Sequence, residues 1–168
     1  MKVPISISIS SFLRMACACL AALPFLAGAA MAQQGSESVE RQIFDAANEA
    51  RRAQGVARLK WDASLARAAK QHAAAMARQD SLSHQFPGEP ALAARAAHAG
   101  VYFISLSENV AQGPDAGNLS DQWVKSPEHR QNLLDPDMNV VGVGVVERNG
   151  ELFAVEDFAK IKPTAPLP

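Results

Sequence analysis

Cysteine is almost missing from this chain: of 168 residues only Cys17 and Cys19 carry a thiol. Both lie in an apolar N-terminal run that starts behind Lys2, is interrupted by Arg14 and closes on Ala30-Met31-Ala32. That ending is the small-x-small pattern cut by signal peptidase, so residues 1–32 read as a secretory signal peptide. Neither cysteine has the small-residue lipobox of a lipoprotein before it. Cleavage after Ala32 would leave 136 of the 168 residues and no cysteine. The exported chain would then have neither a disulfide nor a thiol nucleophile, and packing alone would stabilise it. The apolar stretch after Arg14 is shorter than the roughly 20 residues of a spanning helix, and Pro24 breaks it, so no retained membrane span is expected.

Blocks of like charge are lacking as well. Removing Lys2 and Arg14 from the 16 basic residues leaves 14 against 17 acidic ones, with the two signs interspersed. This balance argues against nucleic acid or an anionic membrane as the main partner. The motifs of the commoner hydrolases are also missing: no HExxH, no CxxC, no closely spaced histidine pair and no G-x-S-x-G elbow.

What is present is periodicity. Residues 33–38 read as a flexible leader. Val39, Ile43, Ala46, Ala47 and Ala50 then form one helical face, with Glu40, Arg41, Asn48 and Arg51 interleaved, and Gly55 is placed to end that helix. Leu59 and Trp61 make a short apolar bridge. Asp62 is a good N-cap for a second helix carrying Leu65, Ala69, Ala73 and Met76, whose many alanines suggest close approach to a neighbouring layer. Ser81 to Gly88 is a loop, and Pro90 to Ala99 a short third helix.

From Val101 the period changes, and a strand is expected over about Ser105 to Gln112. Leu119, Trp123 and Val124 suggest a fourth helix, and Ser126-Pro127 starts a fifth that stops before Pro136. Two β-rich runs, Val140–Val146 and Leu152–Val155, flank Asn149-Gly150, a strong hairpin signal. Trp61, Trp123 and Phe158 read as core anchors. The folded domain is expected over residues 39–160, followed by a proline-rich extended tail at 161–168. Helices first and strands mixed with helices later argue for an α+β layered fold.

Three polar residues stand at hinges between elements, where side chains face clefts: His84, Glu108 and His129. His129 falls at the third position of its helix, where the positive helix end disfavours an extra proton, whereas a nearby carboxylate such as Glu108 would favour one. Two imidazoles and a carboxylate suit zinc or a similar divalent ion with an open position. Equally, they form a structural hydrogen-bond cluster in which Glu108 bridges two rings. His72 and His98, each inside a helix, read as ordinary partly buried or surface histidines. Ser126 is explained as a cap and Glu128 as a solvated first-turn residue.

The order of short motifs resembles a known family. Asn48-Glu49-Ala50-Arg51, Gly55, Leu59-Lys60-Trp61-Asp62, Ser83-His84, Ser107-Glu108-Asn109-Val110-Ala111, Trp123-x-x-Ser126-Pro127-x-His129-Arg130-x-Asn132-Leu133-Leu134, Val141-Gly142-Val143-Gly144-Val145 and Asp157-Phe158 resemble the bacterial CAP (SCP/PR-1-like, cysteine-rich secretory protein type) domain. The likeness runs from about Val39 to Phe158. It implies a three-layer α-β-α sandwich whose cleft is lined by His84, Glu108 and His129. It also implies a function, that of a non-catalytic module binding a divalent metal, a small apolar ligand such as a lipid, an envelope component or a protein; the signal peptide alone places the chain in the periplasm or outside the cell.

Two alternatives go with that reading. One is a metal-dependent hydrolase in which His84 and His129 hold zinc and Glu108 acts as ligand or general base. The other is a structural or adhesion role at the cell envelope. The chain departs from the family pattern at Ser107, where the family has glycine, and at Ser126, where plant and animal members carry a second glutamate. It also lacks the disulfides of secreted eukaryotic members.

Overall fold

The computed structural model describes the backbone of residues 23–162 and the side chains of residues 35–162. The bulk of the expected signal peptide, with Cys17 and Cys19, and most of the proline-rich tail lie outside the described residues. The chain divides into two units at Gln33–Gln34, and the second unit carries the fold. No described helix is long and apolar enough to cross a membrane.

Among the described residues, five helices and four strands follow in the order α1 (Leu23–Ala53), β1 (Lys60–Trp61), α2 (Ala63–Gln79), α3 (Leu92–His98), β2 (Phe103–Gly113), α4 (Ala116–Lys125), α5 (Pro127–Leu134), β3 (Val140–Arg148) and β4 (Glu151–Ile161). The strands form one sheet in the order β1-β3-β4-β2. Strand β1 runs parallel to β3, while β3–β4 and β4–β2 are antiparallel. The β3–β4 hairpin turns at Asn149 (φ 55°) and Gly150 (φ 81°), the left-handed pair a two-residue turn needs.

Alternation along the strands creates two cores. Val141, Val143 and Val145, with Ala154 and Phe158, meet Ile43 and Ala47 of α1, Leu119 and Trp123 of α4 and Leu133 of α5. On the opposite face Val110, Phe153 and Val155 meet Ala69, Ala73 and Met76 of α2. Leu65 of α2 and Ala96 of α3 extend that side over Val140 and Ala159. The molecule is therefore an α-β-α sandwich, with α1, α4 and α5 on one face and α2 and α3 on the other.

The α2 layer lies directly on the sheet backbone. A Cβ at Gly142 would stand 2.1 Å from the backbone N of Ala66, and one at Gly144 would stand 2.1 Å from the backbone N of Lys70. Both glycines face α2, and the run Val-Gly-Val-Gly-Val gives one face its valines and the other its bare backbone. Asp62 fixes the start of α2 by accepting from Ser64 N at 2.8 Å and Leu65 N at 2.9 Å.

Several boundaries and faces differ from expectation. Residues 35–38, read as part of a flexible leader, belong to α1, and Ser36 Oγ donates to Val145 O at 2.7 Å. Ile161, read as the start of the tail, ends β4. Glu40, Asn48 and Arg51, interleaved as a polar face, are buried. Their partners are backbone groups of distant segments. Glu40 accepts from Val145 N at 3.1 Å. Asn48 both accepts from Leu59 N at 2.7 Å and donates to Leu59 O at 3.2 Å. Arg51, fully buried, donates to the carbonyls of Ala57, Leu133, Asp135 and Met138.

This packing makes two substitutions costly. Gly144→Ala should lower the unfolding free energy by about 3 kcal/mol or more, because the added methyl meets helix backbone that cannot rotate away; urea denaturation measures this. Arg51→Met should cost about 3 kcal/mol in the same assay, since it strands several buried carbonyls.

Candidate functional site

The sheet turns Glu108 toward α2 and α3, opposite in direction to its neighbour Asn109. Its carboxylate is buried and both oxygens are taken. Oε1 accepts from His84 Nδ1 at 2.8 Å, and Oε2 accepts from Arg95 Nη2 of α3. Arg95 also donates through Nη1 to His84 O at 3.1 Å and Pro90 O at 3.3 Å, so one buried guanidinium grips both the carboxylate and the loop carrying His84. The His84 side chain itself is 63% exposed. With Nδ1–H given to Glu108, a neutral ring presents its Nε2 lone pair outward.

Beneath this pair sits His72 of α2, with none of its side chain exposed. Its Nε2 lies 2.8 Å from Ser83 O, which can only accept, and its Nδ1 lies 2.7 Å from Glu89 Oε1. Burial, the largest single influence on Glu89, pushes its carboxyl up. The hydrogen bonds from His72 and from the Phe86 backbone outweigh that push, so Glu89 lies below its usual value. Because the Ser83 carbonyl can only accept, Nε2 donates to it, and Nδ1 faces the Glu89 carboxyl. His72 Nε2 is also 3.9 Å from Glu108 Oε2. His72, set aside as ordinary from the sequence, is thus the post on which the His84 loop rests.

His129 stands on the opposite side of β2. Ser126 caps α5 by accepting from His129 N at 3.5 Å. Asn109 Nδ2 donates to His129 O at 3.1 Å and to Glu156 Oε2 at 3.2 Å, while Asn109 Oδ1 accepts from Asn132 Nδ2 at 3.0 Å. Asn132 Nδ2 also donates to Glu108 O at 3.2 Å. These bonds seat the first turns of α5 on β2 beside Glu108. The His129 ring makes no hydrogen bond to Glu108, and its buried Nδ1 has no partner among the described residues. Burial lowers its pKa first, the charge of His84 lowers it further, and Glu128 opposes both. The candidate trio therefore comes together as a bonded His84–Glu108 pair with His129 near enough to sense His84 but not joined to it.

Two further acids lie on β4. Asp157 is the cross-strand partner of Glu108, and both its oxygens are buried without a hydrogen-bond donor among the described residues. Burial and then the charge of Glu108 push its carboxyl well above the ordinary range, against the pull of Arg95. Glu156, on the other face, is pushed up to about 8 by burial.

A divalent ion does not fit this arrangement. Among the described residues no group of three or more His, Cys, Asp or Glu side chains is placed to hold one. The reason is visible at Glu108: the Arg95 guanidinium already neutralises Oε2, and His129 does not reach the carboxylate. The zinc-type ligand set expected of His84, Glu108 and His129 is not assembled.

A model of the cysteine-rich secretory protein family (CAP) matches residues 44–158. The chain belongs to that family.

Among solved structures, an extracellular protein containing a SCP domain from Bacillus anthracis is 29% identical, with a TM-score of 0.73. It is matched over 77% of this chain and 43% of that one. An outer surface protein from Borrelia burgdorferi, at 20% identity, shares the fold with a TM-score of 0.69, over 74% of this chain and 94% of its own. The uncharacterized protein YkwD of Bacillus subtilis is 26% identical over 122 residues, 72% of this chain and 47% of that protein. The chain thus spans about half the length of that curated relative. It spans 31% of a second, the uncharacterized membrane protein YlbC of the same species, which is 34% identical over 107 residues, or 63% of this chain.

In this member of the cysteine-rich secretory protein family, the residues that sequence reasoning passed over are His72, Glu89, Arg95, Asn109 and Asn132. Arg95 had one signal available: it is the lone cation in the alanine-rich stretch from Ala91 to Ala97. Asn109 and Asn132 were visible only as letters in motifs, without a partner to assign.

The site predicts a contrast in stability. Glu108→Gln, which leaves Arg95 buried against a neutral amide, should cost about 3 kcal/mol, whereas His84→Ala, at an exposed ring, should cost less than about 1 kcal/mol; thermal unfolding separates them. His129 should titrate below its ordinary value near 6.5. Its contribution to stability is then present above that ordinary value and lost as pH falls through it toward the folded-state value. NMR titration of the ring carbons measures the shift, and a His129→Gln variant should lose this acid-side dependence.

Proposed function

We propose that this protein acts outside the cytoplasm as a non-catalytic binding module whose recognition surface is built around His84 and His129. The observation that carries this reading is the state of Glu108. A general base needs a free lone pair aimed at substrate, and here one oxygen is held by His84 and the other by a buried arginine. Glu108 is a strut that orients His84. No side-chain hydroxyl bonds to the ring of His84 or His129 among the described residues, so no activated nucleophile is formed either. The metal-dependent hydrolase would need an ion bound jointly by His84, Glu108 and His129, and the Arg95–Glu108 pair stands against it.

Placement outside the cytoplasm rests on the signal-like N-terminus and on relatives described as an extracellular protein and an outer surface protein. The ligand class that suits an exposed imidazole beside a half-buried one is a small apolar or lipid-like molecule with a polar head, or a fragment of the cell envelope.

The test is a thermal-shift series with zinc chloride, palmitate and solubilised peptidoglycan fragments, on the wild type and on His84→Ala and His129→Ala. Palmitate or peptidoglycan at a hundredfold excess over its Kd should stabilise the wild type by about 2.7 kcal/mol, a shift of several degrees. Both variants should weaken that shift, and zinc should give none. Absence of any shift with palmitate and peptidoglycan would sink the reading in favour of a structural or adhesion role. A zinc shift lost in both variants would restore a metal site at these histidines, and only a chelator-sensitive activity lost in both would restore the hydrolase.

A further inference from the structure

On the face away from Glu108, the side chain of Glu156 is fully buried. It lines a small cavity with Ala46 and Ala47 of α1, Val124 of α4 and Leu133 of α5. The remaining lining residues are Ser120 and Trp123, and none of these six carries a charge. About 10 Å3 of the cavity is open to the centre of a water-sized sphere, which is room for a single water molecule at most. The cross-strand neighbour of Glu156 on β3 is Val143, and on β2 it is Asn109. Among the described residues, the one hydrogen bond to the carboxyl comes from Asn109 Nδ2, which also donates to His129 O. Among the described residues no cation forms an ion pair with Glu156.

The walls of this cavity are unequal. Helix α1 is fastened by Glu40, Asn48 and Arg51, and α4 buries Ala116, Leu119 and Trp123. Helix α5 buries only Leu133, and polar bonds hold the rest of it. Two of those bonds converge on Asn109, the residue that touches Glu156. A charge appearing on Glu156 has no counter-ion, so the least costly response is to admit water through the thinnest wall.

We propose that Glu156, Asn109 and helix α5 form a protonation-controlled latch, closed while Glu156 is neutral and released when it ionises, so that the helix carrying His129 opens in alkaline conditions. Desolvation drives the release: burial pushes the Glu156 carboxyl up to about 8 against an ordinary value of 4.5, while the hydrogen bond from Asn109 favours the ionised form and opposes this without reversing it. The folded state keeps a proton that the opened state gives up. The stabilisation is therefore complete below the ordinary value and is lost as pH rises through that window to the folded value. The latch bears on the binding surface proposed above, because His129 travels with α5, but it concerns this chain alone and can be read without a ligand.

The experiment is amide hydrogen exchange on the full chain between pH 5 and 9, corrected for the intrinsic base-catalysed rate. Protection of the amides from Arg130 to Leu134 should fall about tenfold per pH unit between roughly pH 5 and 8 and then level off. Amides of α2 should stay flat, and in Glu156→Gln the α5 amides should lose this fall and keep only the opposite, acid-side rise that His129 contributes. A fall that persists in Glu156→Gln, or one that spreads equally over α2, overturns the latch. Should Glu156→Gln fail to fold, the wild-type carboxyl carbon of Glu156 decides. A titration midpoint shared with the Arg130–Leu134 amide shifts supports the latch, and a midpoint in the ordinary carboxylate range overturns it. A failure of palmitate or peptidoglycan to bind would leave these exchange profiles unchanged, so the two readings fail separately.

Discussion

Helix α2 touches the backbone of β3 because Gly142 and Gly144 carry no side chain, and much of the site follows from that contact. At ordinary sheet–helix spacing, a layer of side chains would separate the backbone of α2 from that of β3. Here His72 comes within 3.9 Å of Glu108 and reaches the Ser83 carbonyl and Glu89 on the other side. The loop after α2 is thereby pinned at Ser83, one residue before His84, and again at His84 O by Arg95. An exposed imidazole on a surface loop would normally sample several orientations. This one is held by its Nδ1, by its own backbone and by the residue before it, so the glycines that let α2 settle also fix the direction His84 faces.

The opposite layer is organised by a different device. Its helices are tied to the sheet by buried polar side chains that reach backbone groups far away in sequence: Glu40 to β3, Asn48 to the segment before β1, Arg51 to the turn between α5 and β3. Each such bond contributes modestly when made and is costly when broken, because the buried partner is left without water. Packing alone fixes how deeply α1 lies, but these bonds fix its register along the sheet. A cysteine-poor fold thus obtains cross-links of a reversible kind.

What the sequence made legible was what local rules govern. Asp62 as a cap, Ser126-Pro127 as a helix start and Asn149-Gly150 as a turn all act within a few residues of themselves. The layered fold and the three hinge residues could be read from spacing and from family likeness together, but not that Glu108 would join His84 alone rather than bridge both rings. Glu40, Asn48 and Arg51 could not, because a polar residue at a helical position gives the same signal whether it faces solvent or a distant carbonyl. His72 was obscured in the same way: a histidine among alanines looks ordinary until the loop that folds back over it is known. The metal set failed for a related reason. Spacing showed that three ligand types were available at hinges, but it could not show that Arg95 would occupy one of them first.

Strand β4 places two acids side by side, Glu156 toward α1, α4 and α5 and Asp157 toward α2 and α3, and burial opposes the charge of each. Their neighbours make the two cases unequal. Asp157 lies against Glu108, whose charge raises it further, and Arg95 pulls the other way without reversing it. Glu156 has only the neutral amide of Asn109. The same sheet therefore carries one buried acid with a cation in reach beneath the His84 loop, and one beneath the His129 helix with none among the described residues. Of the two histidines that border the proposed recognition surface, His84 is held by its hydrogen bond to Glu108, and His129 stands on a helix whose seat depends on a proton.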